Sequence, residues 1–87
     1  MTVSFHGEMT RKFTAGDKKA DMEGQKTVRA LIGELGKKYG EPFKEFLLGT
    51  GTCFFLVNGS GIMTTGGLDT KLSENDRVEI LPFVEGG

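Results

Sequence analysis

Gly86 and Gly87 follow directly on the strand-like run Arg77-Val78-Glu79-Ile80-Leu81-Pro82-Phe83-Val84, so a β segment delivers two residues without side chains and a carboxylate into solvent. A terminal glycine pair packs against nothing and is the costliest residue type to order, which makes it a poor device for stability. It is suited to threading a narrow channel, in which an enzyme closes around the backbone and reaches the carboxylate from several sides. That end is the expected working part of the chain. A carboxylate is an anion with a very poor leaving group, so it must be activated before a nucleophile displaces its oxygen. Gly87 is the expected reacting residue, with Gly86 beside it.

The remaining reactive side chains form no catalytic set. His6 is the sole imidazole, and the alternation Val3-Ser4-Phe5-His6 points it to solvent, away from any nucleophile it could serve. Cys53 is the sole cysteine, so neither a disulfide nor a thiolate metal site can form within the chain. Its neighbours Phe54, Phe55, Leu56 and Val57 are apolar, and buried thiols in such surroundings have raised pKa values and react poorly. Gly49-Thr50-Gly51-Thr52 superficially suggests a phosphate cradle. It lacks the Gly-Lys-Ser/Thr ending of a P-loop and precedes a strand where a cradle needs a helix.

At 87 residues, 37% hydrophobic and 26% charged, the chain is expected to form a single domain over residues 1–87 with room for one core. So small a domain buries roughly 60–65% of its unfolded surface, which leaves no volume for a large internal active site. The 11 basic and 12 acidic residues are intermixed, with no cationic stretch beyond Lys18-Lys19 and Lys37-Lys38. Nucleic-acid binding by bulk electrostatics is disfavoured. No segment approaches the apolar length of a membrane span and the N-terminus shows no secretory pattern, so the expectation is a cytoplasmic chain without membrane contact.

Around the reacting end, the sequence predicts a scaffold. Val3 and Phe5 alternate with polar residues in a first strand, and Gly7 to Thr10 is read as a turn. A bent second strand is read through Lys12-Phe13-Thr14 and Lys19-Ala20-Asp21-Met22. Thr27 is a candidate N-cap for a helix from Val28 to Tyr39, whose Val28, Leu31, Ile32, Leu35 and Tyr39 share one face. Gly33 and Gly36 lie off that stripe, and Gly40 with Pro42 marks the stop. A short helical segment follows from Pro42 to Leu48, then a strand Cys53–Val57, a turn at Asn58-Gly59 and a brief strand Gly61-Ile62-Met63. Leu68 and Leu72 are read as core anchors before the last strand. The order ββαβ(β)β predicts an α+β fold of the β-grasp, ubiquitin-like type. Its mixed sheet of four to five strands carries one main helix on one face, with the first and last strands parallel at the centre. The core is expected to join Leu31 and Leu35 to Phe5, Phe55, Val78 and Ile80.

Several stretches taken together resemble the ThiS/MoaD family of sulfur carriers. These are Leu56-Val57-Asn58-Gly59, Gly67-Leu68-Asp69-Thr70-Lys71-Leu72, Asn75-Asp76-Arg77-Val78-Glu79-Ile80-Leu81-Pro82 and Val84-Glu85-Gly86-Gly87. Pro82-Phe83 stands where many molybdopterin-branch members have two prolines. Thr14-Ala15-Gly16, Gly66-Gly67-Leu68 and Ile80-Leu81-Pro82 look at least as similar to the carriers that feed cysteine synthesis.

The resemblance implies a chain that is itself a substrate and not an enzyme. An E1-like adenylating enzyme uses ATP and Mg²⁺ to adenylate the Gly87 carboxylate, and a sulfur donor displaces AMP to leave a thiocarboxylate. A sulfur-accepting enzyme then receives the sulfur: the molybdopterin synthase large subunit, or a cysteine- or homocysteine-forming enzyme. The chain itself is expected to bind no cofactor or metal and to be a monomer when free. Partner contact is expected at Phe54, Leu81, Pro82, Phe83, Val84 and Glu85, with residues 83–87 as a flexible tail. Two other readings stand beside this one: a ubiquitin-like modifier conjugated to proteins through Gly87, and a non-catalytic interaction module.

Overall fold

The computed structural model describes residues 1–49 and 52–83. The expected Val84, Glu85, Gly86 and Gly87 lie outside the described residues, as do Thr50 and Gly51.

The apolar alternation of the first and last strands builds the centre of one five-stranded sheet. Strand β1 (Thr2–Phe5) runs parallel to β5 (Arg77–Pro82), pairing Val3 with Val78 and Phe5 with Ile80. On the other side of β5 lies β3 (Cys53–Val57), antiparallel, with Phe55 opposite Ile80 and Val57 opposite Val78. The edges are β2 (Lys19–Asp21) on β1 and β4 (Ser60–Gly61) on β3, which gives the order β2-β1-β5-β3-β4. Because side chains alternate between faces, Val3, Phe5, Val78, Ile80 and Phe55 all point to one side, where each is buried. The opposite side carries Phe54 and Leu81.

Helices cover the first side. In α2 (Val28–Tyr39) the hydroxyl of Thr27 accepts the Ala30 N–H at 3.1 Å, satisfying one of the donors left over at a helix start. Val28, Leu31, Ile32 and Leu35 fall on the sheet-facing stripe and are buried with Phe5, Phe55, Val78 and Ile80. The chain stops at Gly40, at φ 111° and ψ 160°, and restarts at once as α3 (Glu41–Leu48), which buries Phe43 and Leu47. The segment between α2 and β5 is stitched down through two backbone bonds, Val28 N–H to Thr70 O and Leu72 N–H to Lys26 O. Leu72 is buried and Leu68 packs partly against the core. The result is the ubiquitin-like β-grasp arrangement that the element order predicts, with further helices added to the main one.

Three local expectations are corrected. Gly7 to Thr10 is no hairpin turn and the second strand is no bent run through Lys12: residues Glu8–Phe13 form a short helix, α1, and β2 is confined to Lys19–Asp21. Thr10, Phe13 and Thr14 recur at helical spacing and turn inward. Both threonines are fully buried, and the Phe13 ring lies 5.5 Å from Phe43 and 5.0 Å from Phe46. Aromatic contacts with α3 outweigh the strand-like alternation of Lys12-Phe13-Thr14, since ring pairs at this spacing add about 0.5–1.5 kcal/mol beyond area burial. Further along the same loop, Asp17 accepts the Tyr39 hydroxyl at 2.8 Å. Burial, and then that carboxylate, push the phenol up to about 12.

Second, β4 ends at Gly61, and Ile62–Thr64 forms a 3₁₀ turn that buries Ile62 and leaves Met63 exposed. Third, Gly36 is not off the packed face. A methyl built there would lie 2.9 Å from Lys44 Cβ, so α2 and α3 approach each other over this glycine.

Gly33, by contrast, has nothing within 4 Å of a built Cβ. Gly33→Ala is expected to raise stability by up to about 1 kcal/mol through helix propensity. Gly36→Ala should lower the thermal midpoint, because the Lys44 backbone must yield. Equal midpoints for the two variants would show that the helices are not in close contact at this position.

Candidate functional site

The sheet face away from the helices holds three of the expected contact residues, Phe54, Leu81 and Phe83. Phe54 of β3 and Leu81 of β5 are directly opposite in the antiparallel register. Alternation brings Phe83 to the same face, and its ring centroid lies 5.3 Å from that of Phe54 with the planes tilted by 50°. Phe54 is 36% and Phe83 47% exposed, so two aromatic rings touch each other while facing water. Exposed apolar side chains that adjoin in this way cost solvation and mark contact surfaces more often than isolated ones do.

Pro82, between Leu81 and Phe83 in the chain, pairs with Cys53 and so faces the side of the sheet that the helices cover. It also ends the central ladder. In the parallel register the His6 N–H donates to the Ile80 carbonyl at 3.0 Å, and the next rung would need an N–H from residue 82, which proline lacks. The last strand is thereby released from β1 at Pro82 and remains tied to β3 for one further step, where the Phe83 N–H donates to Thr52 O at 3.3 Å. Phe54, Leu81, Pro82 and Phe83 are therefore brought together at the end of the sheet from which the chain leads to residue 87.

The other candidates are placed outside any catalytic arrangement. His6 is half-exposed, as the alternation predicts, but it is not free: its Nε2 lies 3.1 Å from Glu79 Oε1 beside the aromatic patch. Cys53 is buried with its Sγ directed at the carbonyls of Leu47 and Phe46. Burial pushes the thiol pKa up, against a smaller lowering by the Thr52 hydroxyl, so its reactive thiolate is disfavoured. The Thr52 hydroxyl donates to the carbonyls of Phe46 and Gly49 at the end of α3. That end of a helix presents carbonyl oxygens and partial negative charge, which repels phosphate. Among the described residues no group of three or more His, Cys, Asp or Glu side chains could hold a metal ion. No helix among them is long and apolar enough to cross a membrane.

A cleft of about 660 Å³ opens at the other end of the sheet, between Met1, Asp21, Glu23, Gln25, Glu74 and Arg77 among others. Its carboxylates and cations are intermingled and its lining contains no cysteine, serine–histidine pair or other activated nucleophile. One contact behind the patch is hidden in the sequence. Gly7, read there as part of a turn, caps α1 and lies directly against the Pro82 ring.

Comparisons with known proteins agree with this geometry. CysO of Mycobacterium tuberculosis superposes with a TM-score of 0.83 at 30% identity, covering 95% of this chain and 98% of that one. The CysO of the Amycolatopsis orientalis BexX/CysO complex gives 0.81 at 26% identity, covering 99% and 98%. A putative molybdopterin converting factor subunit 1 from Pyrococcus furiosus gives 0.71 at 27% identity, covering 95% of each chain. No curated protein sequence matches the chain. The ThiS family profile matches residues 3–87, nearly the whole length and including the residues after Phe83. The chain belongs to the ThiS family, a family of ubiquitin-fold sulfur carriers.

Proposed function

We propose that the chain carries sulfur as a thiocarboxylate on Gly87 and serves its partner enzymes as a substrate. An E1-like enzyme binds the chain and uses ATP and Mg²⁺. A Gly87 carboxylate oxygen attacks the α-phosphorus of ATP, pyrophosphate leaves, and the acyl group becomes an adenylate. A sulfur nucleophile then attacks the acyl carbon, AMP leaves, and sulfur replaces one carboxylate oxygen. The accepting enzyme is either a cysteine- or homocysteine-forming enzyme or the large subunit of molybdopterin synthase. The similarity to CysO and to a molybdopterin converting factor supports both.

The observation that carries this reading is the pair of exposed rings, Phe54 and Phe83, flanking Leu81 at the point where β5 leads toward Gly86-Gly87. Phe54, Leu81, Pro82 and Phe83, continued by Val84 and Glu85, form the surface that a partner grips while Gly86 and Gly87 enter its channel. The partner's own residues supply activation and proton transfer, consistent with a chain in which the lone histidine is tied to Glu79 and the lone thiol is buried. Localisation in the cytoplasm, where ATP and the biosynthetic acceptors are found, is part of the same proposal.

Intact mass after co-expression with the cognate activating enzyme and its sulfur donor tests the chemistry. The expected gain is that of sulfur replacing one oxygen, located at Gly87 by fragmentation. Adducts of the chain on lysines of other proteins, without that gain, would replace the carrier reading by a modifier.

The surface is tested separately by calorimetric titration against the activating enzyme. Phe83→Ala and Phe54→Ala should each weaken binding by about 1 kcal/mol or more, as truncation of aromatic anchors does. Lys37→Glu should have little effect, since Lys37 is on the exposed side of α2 beside Glu34. A Lys37 effect larger than that of Phe83 would move the docking surface to the helices.

A further inference from the structure

Gly7 has a geometry that its position in the fold makes consequential. It follows β1, caps α1 and takes φ 85°, ψ 149°, a conformation that residues with a Cβ rarely adopt. A Cβ built on it would lie 2.7 Å from Pro82 Cγ and 3.1 Å from Pro82 Cδ. Arg11 ties the backbone here at two places. The Arg11 N–H donates to Gly7 O at 3.1 Å, and the Arg11 side chain donates through Nε to Phe5 O at 3.1 Å. The Pro82 ring therefore rests on a bare, fixed stretch of backbone where a side chain would otherwise stand.

Pro82 is also where the last strand parts from β1. Its missing N–H ends that ladder, so hydrogen bonding to β1 no longer determines where residues 82 and 83 lie. On the opposite side, β3 still holds them through the Cys53–Pro82 pairing and the Phe83 N–H to Thr52 O bond. The contact with Gly7 closes the remaining side. Without it, the ring of residue 82 would be free to shift toward α1 and carry the Phe83 carbonyl, from which residue 84 must start, along with it.

We infer that Gly7 is a positioning residue: by admitting the Pro82 ring it fixes the point and direction from which the reacting terminus leaves the sheet. The inference rests on the reading of Gly87 as the adenylated residue. It assigns to α1, a helix absent from the sequence-based expectation, the role of a backstop behind the terminal strand. Gly7 need not touch the partner for this role, so its loss should affect turnover of the bound chain and leave docking intact.

The test uses Gly7→Ala, with Gly24→Ala as a matched control. Gly24 has the same φ of 85° but nothing within 4 Å of a built Cβ, so it bears the backbone strain without the contact. Two readings are taken: hydrogen exchange of the Phe83 amide in the free protein, and steady-state kinetics of adenylation by the activating enzyme. For Gly7→Ala the expected results are Phe83 exchange at least about tenfold faster and kcat down by about ten- to a hundredfold, with KM within about twofold, as for a misplaced reacting group. Gly24→Ala should stay within about twofold of wild type in all three.

Equal behaviour of the two variants, or a Gly7→Ala defect confined to KM, would overturn the inference. Should Gly7→Ala melt below the assay temperature, Gly7→Ala/Pro82→Ala removes both of the ring atoms that the new methyl meets and should melt higher than the single variant. No recovery would also overturn it. A wild-type chain that is not adenylated at all would refute the proposed function, while the Phe83 exchange rates would still decide whether Gly7 braces the strand.

Discussion

The parallel pairing of β1 with β5 is the constraint on which the rest of the molecule depends. It joins the beginning of the chain to its last strand, so forming it closes a loop of some seventy residues. The intervening residues must then cover the face on which Val3, Phe5, Val78 and Ile80 lie. The helix α2 does this with Val28, Leu31, Ile32 and Leu35, and α3 extends the cover with Phe43 and Leu47. Burying these side chains is the main favourable term in so small a fold, since each large apolar side chain contributes about 1.5–3 kcal/mol. The same pairing directs β5 outward. Its last residues emerge at the end of the sheet, carried by a strand fixed on both sides as far as Ile80.

The proposed function rests on what that pairing leaves uncovered. A sheet covered by helices on one face has a second face, and at its outgoing end Phe54, Leu81 and Phe83 make it apolar. An enzyme would need a nucleophile, a base and an enclosed space in which to use them. Here the imidazole of His6 is half-exposed beside Glu79, the thiol of Cys53 is folded into the core, and the cleft near Met1 is lined by mixed charges. Pro82 has a double part: its missing N–H ends the ladder with β1, and its ring packs on Gly7.

Much of this was legible in the residues. The helix Val28–Tyr39 had both its Thr27 cap and its apolar stripe in the sequence, and both occur in the structure. The strand Cys53–Val57 was a continuous apolar run, Arg77–Pro82 a strand-like one, and the parallel centre followed from the apolar residues of the first and last strands. The helix α1 was not legible, because two of its three inward residues are threonines and hydrophobic periodicity cannot register them. The third, Phe13, packs on Phe43 and Phe46 of α3, which lies some thirty residues later in the chain. Gly36 was misread for a related reason. A glycine on a helix looks like a weakness until the neighbouring helix that requires its small size is placed beside it. The patch residues Phe54, Leu81, Pro82 and Phe83 were named from the sequence, whereas the brace that Gly7 provides depends on a contact across 75 positions and left only a turn-like signal.

The central claim is that the body of the protein exists to present a reacting terminus that contributes nothing to its stability. Its most direct test compares the intact chain with one lacking Gly86 and Gly87, measuring ATP–pyrophosphate exchange with the activating enzyme and the thermal midpoint of the free protein. The account predicts unchanged midpoints, exchange with the intact chain and none with the shortened one. Exchange that persists without the two glycines, or a midpoint that falls substantially with their loss, would contradict it.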